Sequence, residues 1–304
     1  MSECDACWPE GIPEVKRTKR GLTFRRLVRS PGGLVGSVLV VLVIAVAVLA
    51  PLISPYDPEK QNIVHRLKPP FWAEEGSVEH LLGTDSVGRD LLSRIIYGSR
   101  ISLFVGVVAT LFSALLGVTL GLVSGYTRGP VDSAISRVGD VQQAIPFLVL
   151  AIAVAAMLGP GLFNLILVLV VTTWVTFFRV VRGEVLSVRE EQYVWAARSI
   201  GASNLRIMLR YILPNVAASI IVVATLLAAN MIIFEASLSF LGLGVPSNIP
   251  TWGRIVADGR EYVASEWWIA LFPGLAILIT VMAMNLLGDW LREELDPKAS
   301  TWKG

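Results

Sequence analysis

The chain has 304 residues, a net charge of +2, and 54% hydrophobic against 16% charged residues, with a mean hydropathy of +0.64. Soluble domains carry roughly 25% charged residues, so this composition argues against a soluble globular protein and for a membrane-spanning one. The small net charge gives no footing for nucleic acid. The two cysteines, Cys4 and Cys7, have no second pair or nearby histidine to complete a zinc site.

A tail over 1–33 carries Lys16, Arg17, Lys19, Arg20, Arg25, Arg26 and Arg29. The apolar run after it is too long and too late for a cleaved signal peptide. This run, 34–53, predicts a first span, ended by Pro51 and Pro55. Residues 54–98 form a loop of mixed charge. Five further spans are predicted at 101–125, 144–158, 162–178, 216–236 and 268–287. Each approaches the ~20 residues that a bilayer requires, the third and fourth being short. Domain boundaries follow: tail 1–33, first span 34–53, outer loop 54–98, a five-helix domain 99–288 with a charged segment at 190–214, and a tail 289–304.

Basic residues set the orientation. The N-terminal tail is basic, and the segment between the fourth and fifth spans carries Arg179, Arg182, Arg189, Arg198, Arg206 and Arg210. Both therefore belong on the cytoplasmic side, and six spans bring both termini there. The uncharged turn 159–161 and the loop 54–98 fall outside.

In the second span, Gly117, Gly121 and Gly125 form a small-residue stripe that suits close helix packing. On the fifth, Asn230 and Glu235 are polar positions that are costly in a bilayer, and both are candidates for lining a path. Trp252, Trp267 and Trp268 read as interfacial anchors. The outer loop contains Gly83-x-x-x-x-Gly88-Arg89-Asp90, which superficially resembles a phosphate-binding loop. That motif needs Lys then Ser or Thr, and an aspartate in the last place would repel phosphate. Arg89, Asp90 and Arg94 are instead in reach of local pairing. His65 and His80 lie in the same loop and suggest no metal centre.

The segment 190–214 has helical content of its own. Tyr193, Ala197 and Ile200 recur at helical spacing. Gly201 suits a left-handed cap, and Ser203 suits an N-cap. Leu205, Met208, Leu209 and Ile212 then form an i, i+3, i+4, i+7 face before Pro214, with Arg206 and Arg210 on another. Asn204 is assigned to the polar face, where a change to serine is expected to be mild.

This segment resembles the "EAA" segment of bacterial ABC-importer permeases. The family pattern is an alanine pair, a glycine four residues on, and a hydrophobic helix ending in Leu-Pro, carried here by Ala196, Ala197, Gly201, Ile212, Leu213 and Pro214. Trp195 departs from the pattern, standing where the family often has glutamate. Two further stretches, 80–103 and 239–260, resemble the peptide and nickel importers. The resemblance covers about residues 80–298 and is greatest to the dipeptide-permease C subunits.

The resemblance implies an all-α membrane protein of six transmembrane helices, in the type I ABC-importer permease fold with a short cytoplasmic coupling helix. It implies a non-catalytic subunit of the bacterial or archaeal inner membrane. Trp195, Ala196, Ala197, Gly201, Ala202, Ser203, Leu205, Met208 and Leu209 would couple to the ATPase. The implied partners are a second homologous permease, two ATP-binding cassette subunits, an extracytoplasmic solute-binding protein and membrane lipid. ATP and Mg would sit on the cassette subunits, with no cofactor on this chain. Dipeptides, oligopeptides and nickel chelates all remain open as solutes. The alternative is a stand-alone secondary transporter, which would usually show internal repeats and charged midplane sites. No clear repeat relates the first three spans to the last three.

Overall fold

The computed structural model describes Leu27 and residues 30–295. Cys4, Cys7, the basic residues of the tail and everything after 295 lie outside the described residues. Among the described residues the ordered elements are helices, apart from one isolated β-bridge between Thr84 and Asp90.

Helix α1 is Pro31–Ile53, started by Ser30, whose hydroxyl accepts the Gly33 N–H. Helix α2 runs over Leu91–Thr127 and is capped by Asp90, which accepts the Ser93 N–H at 2.8 Å. It thus begins inside the segment assigned to the outer loop. At 37 residues and ~1.5 Å per residue it is about 55 Å long, well beyond a hydrocarbon core of ~30 Å. Polar Ser93, Arg94 and Ser99 can occupy its early turns because all three are buried against protein.

The third span is where sequence and structure differ most. The expected straight helix 144–158 is the second half of a broken pair, α3 (Gly129–Ala144) and α4 (Phe147–Leu158), bent by 97°. Pro146 supplies the break, since it disfavours helical geometry in the residue before it. Helix α3 escapes a hydropathy reading because it carries Asp132, Arg137 and Asp140. Two of these are matched by α5 (Leu162–Val188): Arg182 Nε to Asp132 at 2.5 Å and Arg179 to Asp140 at 2.8 Å. The ladder continues with the Trp174 indole N–H donating to Gln142 at 2.9 Å, so α3 runs antiparallel to one half of α5. Among the described residues five helices are long and apolar enough to cross a membrane, or six if the broken pair is one span.

After α5 come α6 (Gln192–Ser199), α7 (Asn204–Ile207), a π-helical turn at Met208–Ile212, and α8 (Leu213–Phe240). Short α9 (Trp252–Asp258) and long α10 (Trp268–Leu295) complete the fold. Helices α5 and α10 both outrun their expected ends, 178 and 287, because their polar last turns pack on other helices instead of dissolving into loops.

The glycine stripe decides how α2 meets α5. A Cβ on Gly117 would lie 2.4 Å from the Trp174 carbonyl oxygen, and one on Gly125 would lie 2.8 Å from Val185 Cβ. Gly36 lets α1 approach α10 in the same way, a Cβ there falling 2.9 Å from the Ala283 carbonyl. In a bilayer such contacts hold helices by packing, since apolar burial gains little there. Trp252 and Trp268 are not surface anchors. They are 3% and 6% exposed, and only Trp267, at 43%, reaches a surface.

Candidate functional site at the two ends of the bundle

The segment 189–213 closes one end of the bundle. Helix α6 ends at a Schellman-type cap: Gly201 has φ of +81°, and the Ala202 N–H donates back to the Ala197 carbonyl at 3.1 Å. The expected left-handed glycine is therefore present. Ser203 precedes α7 in extended geometry but makes no side-chain capping bond; its backbone carbonyl accepts the Ile207 N–H at 2.9 Å instead.

A single apolar seat holds this turn to the bundle. Val194, Ala197, Ile207 and Ile212 are buried with Leu122 and Tyr126 of α2, Val181 and Val185 of α5, and Val216 of α8. The π-turn explains the phase. Its i to i+5 repeat keeps Ile207 and Ile212 on one buried face, where an α-helical repeat would have carried one of them away. Ala202 and Met208 are half-buried against the same cluster.

The opposite face is apolar and uncovered. Trp195 is 51% exposed, Ile200 81%, Leu205 63% and Leu209 52%. Ala196, Gly201 and Ser203 are exposed beside them. The expected coupling set is thus divided: Trp195, Ala196, Gly201, Ser203, Leu205 and Leu209 face outward, and Ala197 faces inward. Ile200 was assigned to the inner stripe and lies on the outer face. The inward residue in its place is Val194, one position after Tyr193, where the expected stripe began.

Polar contacts brace the turn. Tyr126 donates its hydroxyl to Asn204 Oδ1 at 2.8 Å, so Asn204 is a bonded residue and not a free polar-face position. The Arg198 guanidinium lies 5.7 Å from the Tyr126 ring and 5.1 Å from the Trp195 ring, which orients Trp195. Arg189 Nη1 donates to the Tyr126 carbonyl at 2.5 Å, and Arg128 pairs with Glu190 at 3.0 Å.

The other end is sealed by charge. Arg94, 1% exposed, bridges Asp85 at 2.7 Å and Asp258 at 3.1 Å. Arg89 Nε reaches Asp85 at 2.6 Å, and Arg254 reaches Asp258 at 3.0 Å. Arg89 and Arg94 therefore pair locally with Asp85 and across the fold with Asp258, and not with Asp90. Asp90 caps α2 and meets His80 Nδ1 at 2.9 Å, while His80 Nε2 lies 3.3 Å from His65 Nδ1. The 83–90 turn holds its own anion: Asp85 Oδ1 accepts the Val87 and Arg89 N–H groups. A Cβ on Gly88 would fall 1.8 Å from the Asn62 carbonyl oxygen, so the turn is filled by the chain itself.

Glu235 lies near that sealed end, 0% exposed. Ser239 and Thr251 donate to Oε1 at 2.8 Å each, and Ser102 donates to Oε2 at 3.4 Å. Thr251 also caps α9, accepting the Arg254 N–H at 3.1 Å, and Ser102 accepts the Trp252 N–H at 3.1 Å. One carboxyl group thus ties α2, α8 and α9 together. The structure encloses Glu235 where a path-lining role was expected, because hydroxyls from two other elements reach it. Asn230, by contrast, is exposed.

Fold and surface together define a polytopic helical membrane protein with one self-sealed end and one end that bears an uncovered apolar face. Residues 117–301 match the family of binding-protein-dependent transport system inner membrane components, and residues 20–70 match the N-terminal transmembrane domain of oligopeptide transport permease C. The chain belongs to this family of ABC-transporter permeases. It is 41% identical over 275 residues to the di/tripeptide transport system permease protein DppC of Pseudomonas aeruginosa, covering 90% of this chain and 91% of that one. It is 43% identical over 298 residues to a putative peptide transport system permease protein of Brucella suis, covering 98% of each. A solved chain of the MetNI methionine ABC transporter superposes with a TM-score of 0.52 at 18% identity, covering 68% of this chain and 98% of that one. That likeness supports the type I permease fold. Family membership favours a transporter subunit over a stand-alone secondary transporter.

Proposed function

We propose that this chain is the non-catalytic membrane subunit of an ATP-driven importer of peptides or similar small solutes. The observation that carries this reading is the exposed quartet Trp195, Ile200, Leu205 and Leu209 on a turn braced from behind by buried apolar and hydrogen-bonded groups. Exposed apolar patches of this kind mark interaction sites, and a separate ATP-binding cassette subunit is the occupant. ATP and Mg belong to that subunit. Closure of two cassettes would push on α6 and α7, and the push would pass through the seat into α2, α5 and α8. A second homologous permease supplies the other half of the path, and exposed Asn230 is a candidate to line it. An extracytoplasmic binding protein delivers solute at the sealed end. The peptide assignment is supported by the relatives, which are named as peptide permeases.

This reading places the 189–213 end in the cytoplasm and residues 56–90 outside. Glu74 and Ser187 are both exposed, and single cysteines there should label from opposite faces of the membrane. Labelling from the same face would end the six-crossing reading. Co-purification with a cassette ATPase, lost on mutation of the quartet, tests the docking itself. Retention of the ATPase by a variant with all four side chains cut to alanine would reject the docking surface.

A further inference from the structure

Beside the far end of α1 the structure opens a cavity of about 910 Å³. That is within the range of small-molecule pockets, ~300–1,000 Å³. Helix α2 forms one wall, with Tyr97, Arg100 and Phe104 at i, i+3 and i+7 on a single face. The chain after α1 forms another, presenting Asp57 and Glu59 on either side of Pro58. That wall is fixed in place. Ser54 donates its hydroxyl to the Tyr56 carbonyl at 2.8 Å, the Tyr56 N–H donates to Ser93 on α2 at 3.0 Å, and the Glu59 N–H donates to Asp57 at 2.9 Å.

The three charged side chains that line this cavity are exposed and meet no opposite charge among the described residues. Arg89, Arg94 and Arg254 nearby all reach carboxylates within 3.3 Å. Arg100 makes no ion pair or hydrogen bond with any described residue, although two carboxylates line the same cavity. Asp57 and Glu59 likewise meet no cation. A cavity with a cation flanked by aromatic rings on one wall and two anions on another matches a ligand with the reverse arrangement of charge.

We propose that this cavity binds a small zwitterion, its acid group on Arg100 and its ammonium group at Asp57 and Glu59. Two sources carry that chemistry: the termini of a short free peptide, and the headgroup of phosphatidylethanolamine. Assignment to a peptide rests on the peptide-import reading above; the zwitterion site does not.

The test uses the assembled transporter without its binding protein, in nanodiscs of phosphatidylglycerol alone, titrated calorimetrically with dialanine, N-acetyl-dialanine and dialanine amide. Free dialanine should bind, and either blocked form should bind at least about fivefold more weakly. Arg100→Met should weaken free dialanine by about the same factor and leave the amide unchanged, while Glu59→Gln together with Asp57→Asn should spare the N-acetyl form. Co-purified ATPase and an unchanged unfolding midpoint report that each variant is assembled. In nanodiscs containing phosphatidylethanolamine, weaker dialanine binding, or lipid retained in native mass spectra and lost in Arg100→Met, assigns the site to the headgroup as well. Binding indifferent to both terminal charges and to Arg100, with no retained phosphatidylethanolamine, overturns the proposal. Peptide uptake by cells that survives Arg100→Met alongside that result would sink the cavity alone. A cavity that binds zwitterions in cells that take up no peptide would sink the peptide reading alone.

Discussion

The two ends of this bundle are built on opposite principles. At the sealed end, Asp85, Asp258 and Glu235 are all partnered by other residues of the chain, and Arg94 reaches two carboxylates although its Nε has no partner among the described residues, with Arg94 at 1% and Glu235 at 0% exposure. At the docking end the polar groups brace from behind, and Ile200 at 81% and Leu205 at 63% exposure are left bare. Internal completion makes a rigid end. On the proposed function the apolar end is completed by another molecule, so mutations at the two ends should fail in different ways.

The largest effect belongs to the sealed end. Asp85→Ala removes the shared partner of Arg89 and Arg94 and leaves buried Arg94 with Asp258 only. Stripping one member from a buried ionic network costs about 3–5 kcal/mol. Loss of folded protein from membranes, read by fluorescence-detected chromatography, is the expected outcome; an unchanged unfolding midpoint would show that the network is dispensable.

Next comes the seam joining the ends. Gly121→Leu would drive a side chain into Val181, whose Cβ already lies 2.9 Å from a Cβ placed at 121. Overpacking costs about 1–3 kcal/mol, so the unfolding midpoint should fall while alanine at 121 falls less.

Gly201→Val separates folding from coupling. A Cβ at 201 meets nothing within 4 Å, so only its φ of +81° resists substitution. The strain, about 1–2 kcal/mol, is local to the turn. Membrane abundance should hold while transport and ATPase association fall, and Gly201→Asn should be milder, since asparagine tolerates that conformation. Equal loss of abundance in both variants would place the turn in the folding core.

The smallest change in stability should come from Leu205→Ala with Leu209→Ala. Both side chains are more than half exposed, so the midpoint should shift little. Affinity for the ATPase should drop about tenfold, as removing interface anchors does. An affinity unchanged by the pair would mean that the uncovered face meets lipid instead.

Much of this architecture was legible in the residues. The long apolar runs located five crossings, and the Gly117, Gly121 and Gly125 spacing located the α2–α5 seam, because burial in a membrane leaves a direct compositional mark. The left-handed turn at Gly201 was equally visible, since a glycine between two short helical stretches has one strong conformational reading. The alanine pair and the Leu-Pro step pointed to the family.

Other features depended on partners distant in sequence. Helix α3 hid behind Asp132 and Asp140 because the neutralising Arg182 and Arg179 lie on α5. Trp252 and Trp268 looked like surface anchors until Ile95 and Thr84 supplied carbonyls for their indole N–H groups, at 2.9 and 3.4 Å. Glu235 could be placed on α8 but not judged enclosed, since that rests on Ser102 and Thr251 from two other elements. In the 189–213 segment, the shift that buries Ile207 with Ile212 follows from a π-turn, which single-helix periodicity does not encode. The sequence by itself determined which segments are apolar, where the chain can turn and which family it resembles, because those depend on local composition and backbone freedom. Only the tertiary structure decided which polar groups are paired and which apolar ones stay bare, because both are settled by what the rest of the chain brings within contact distance.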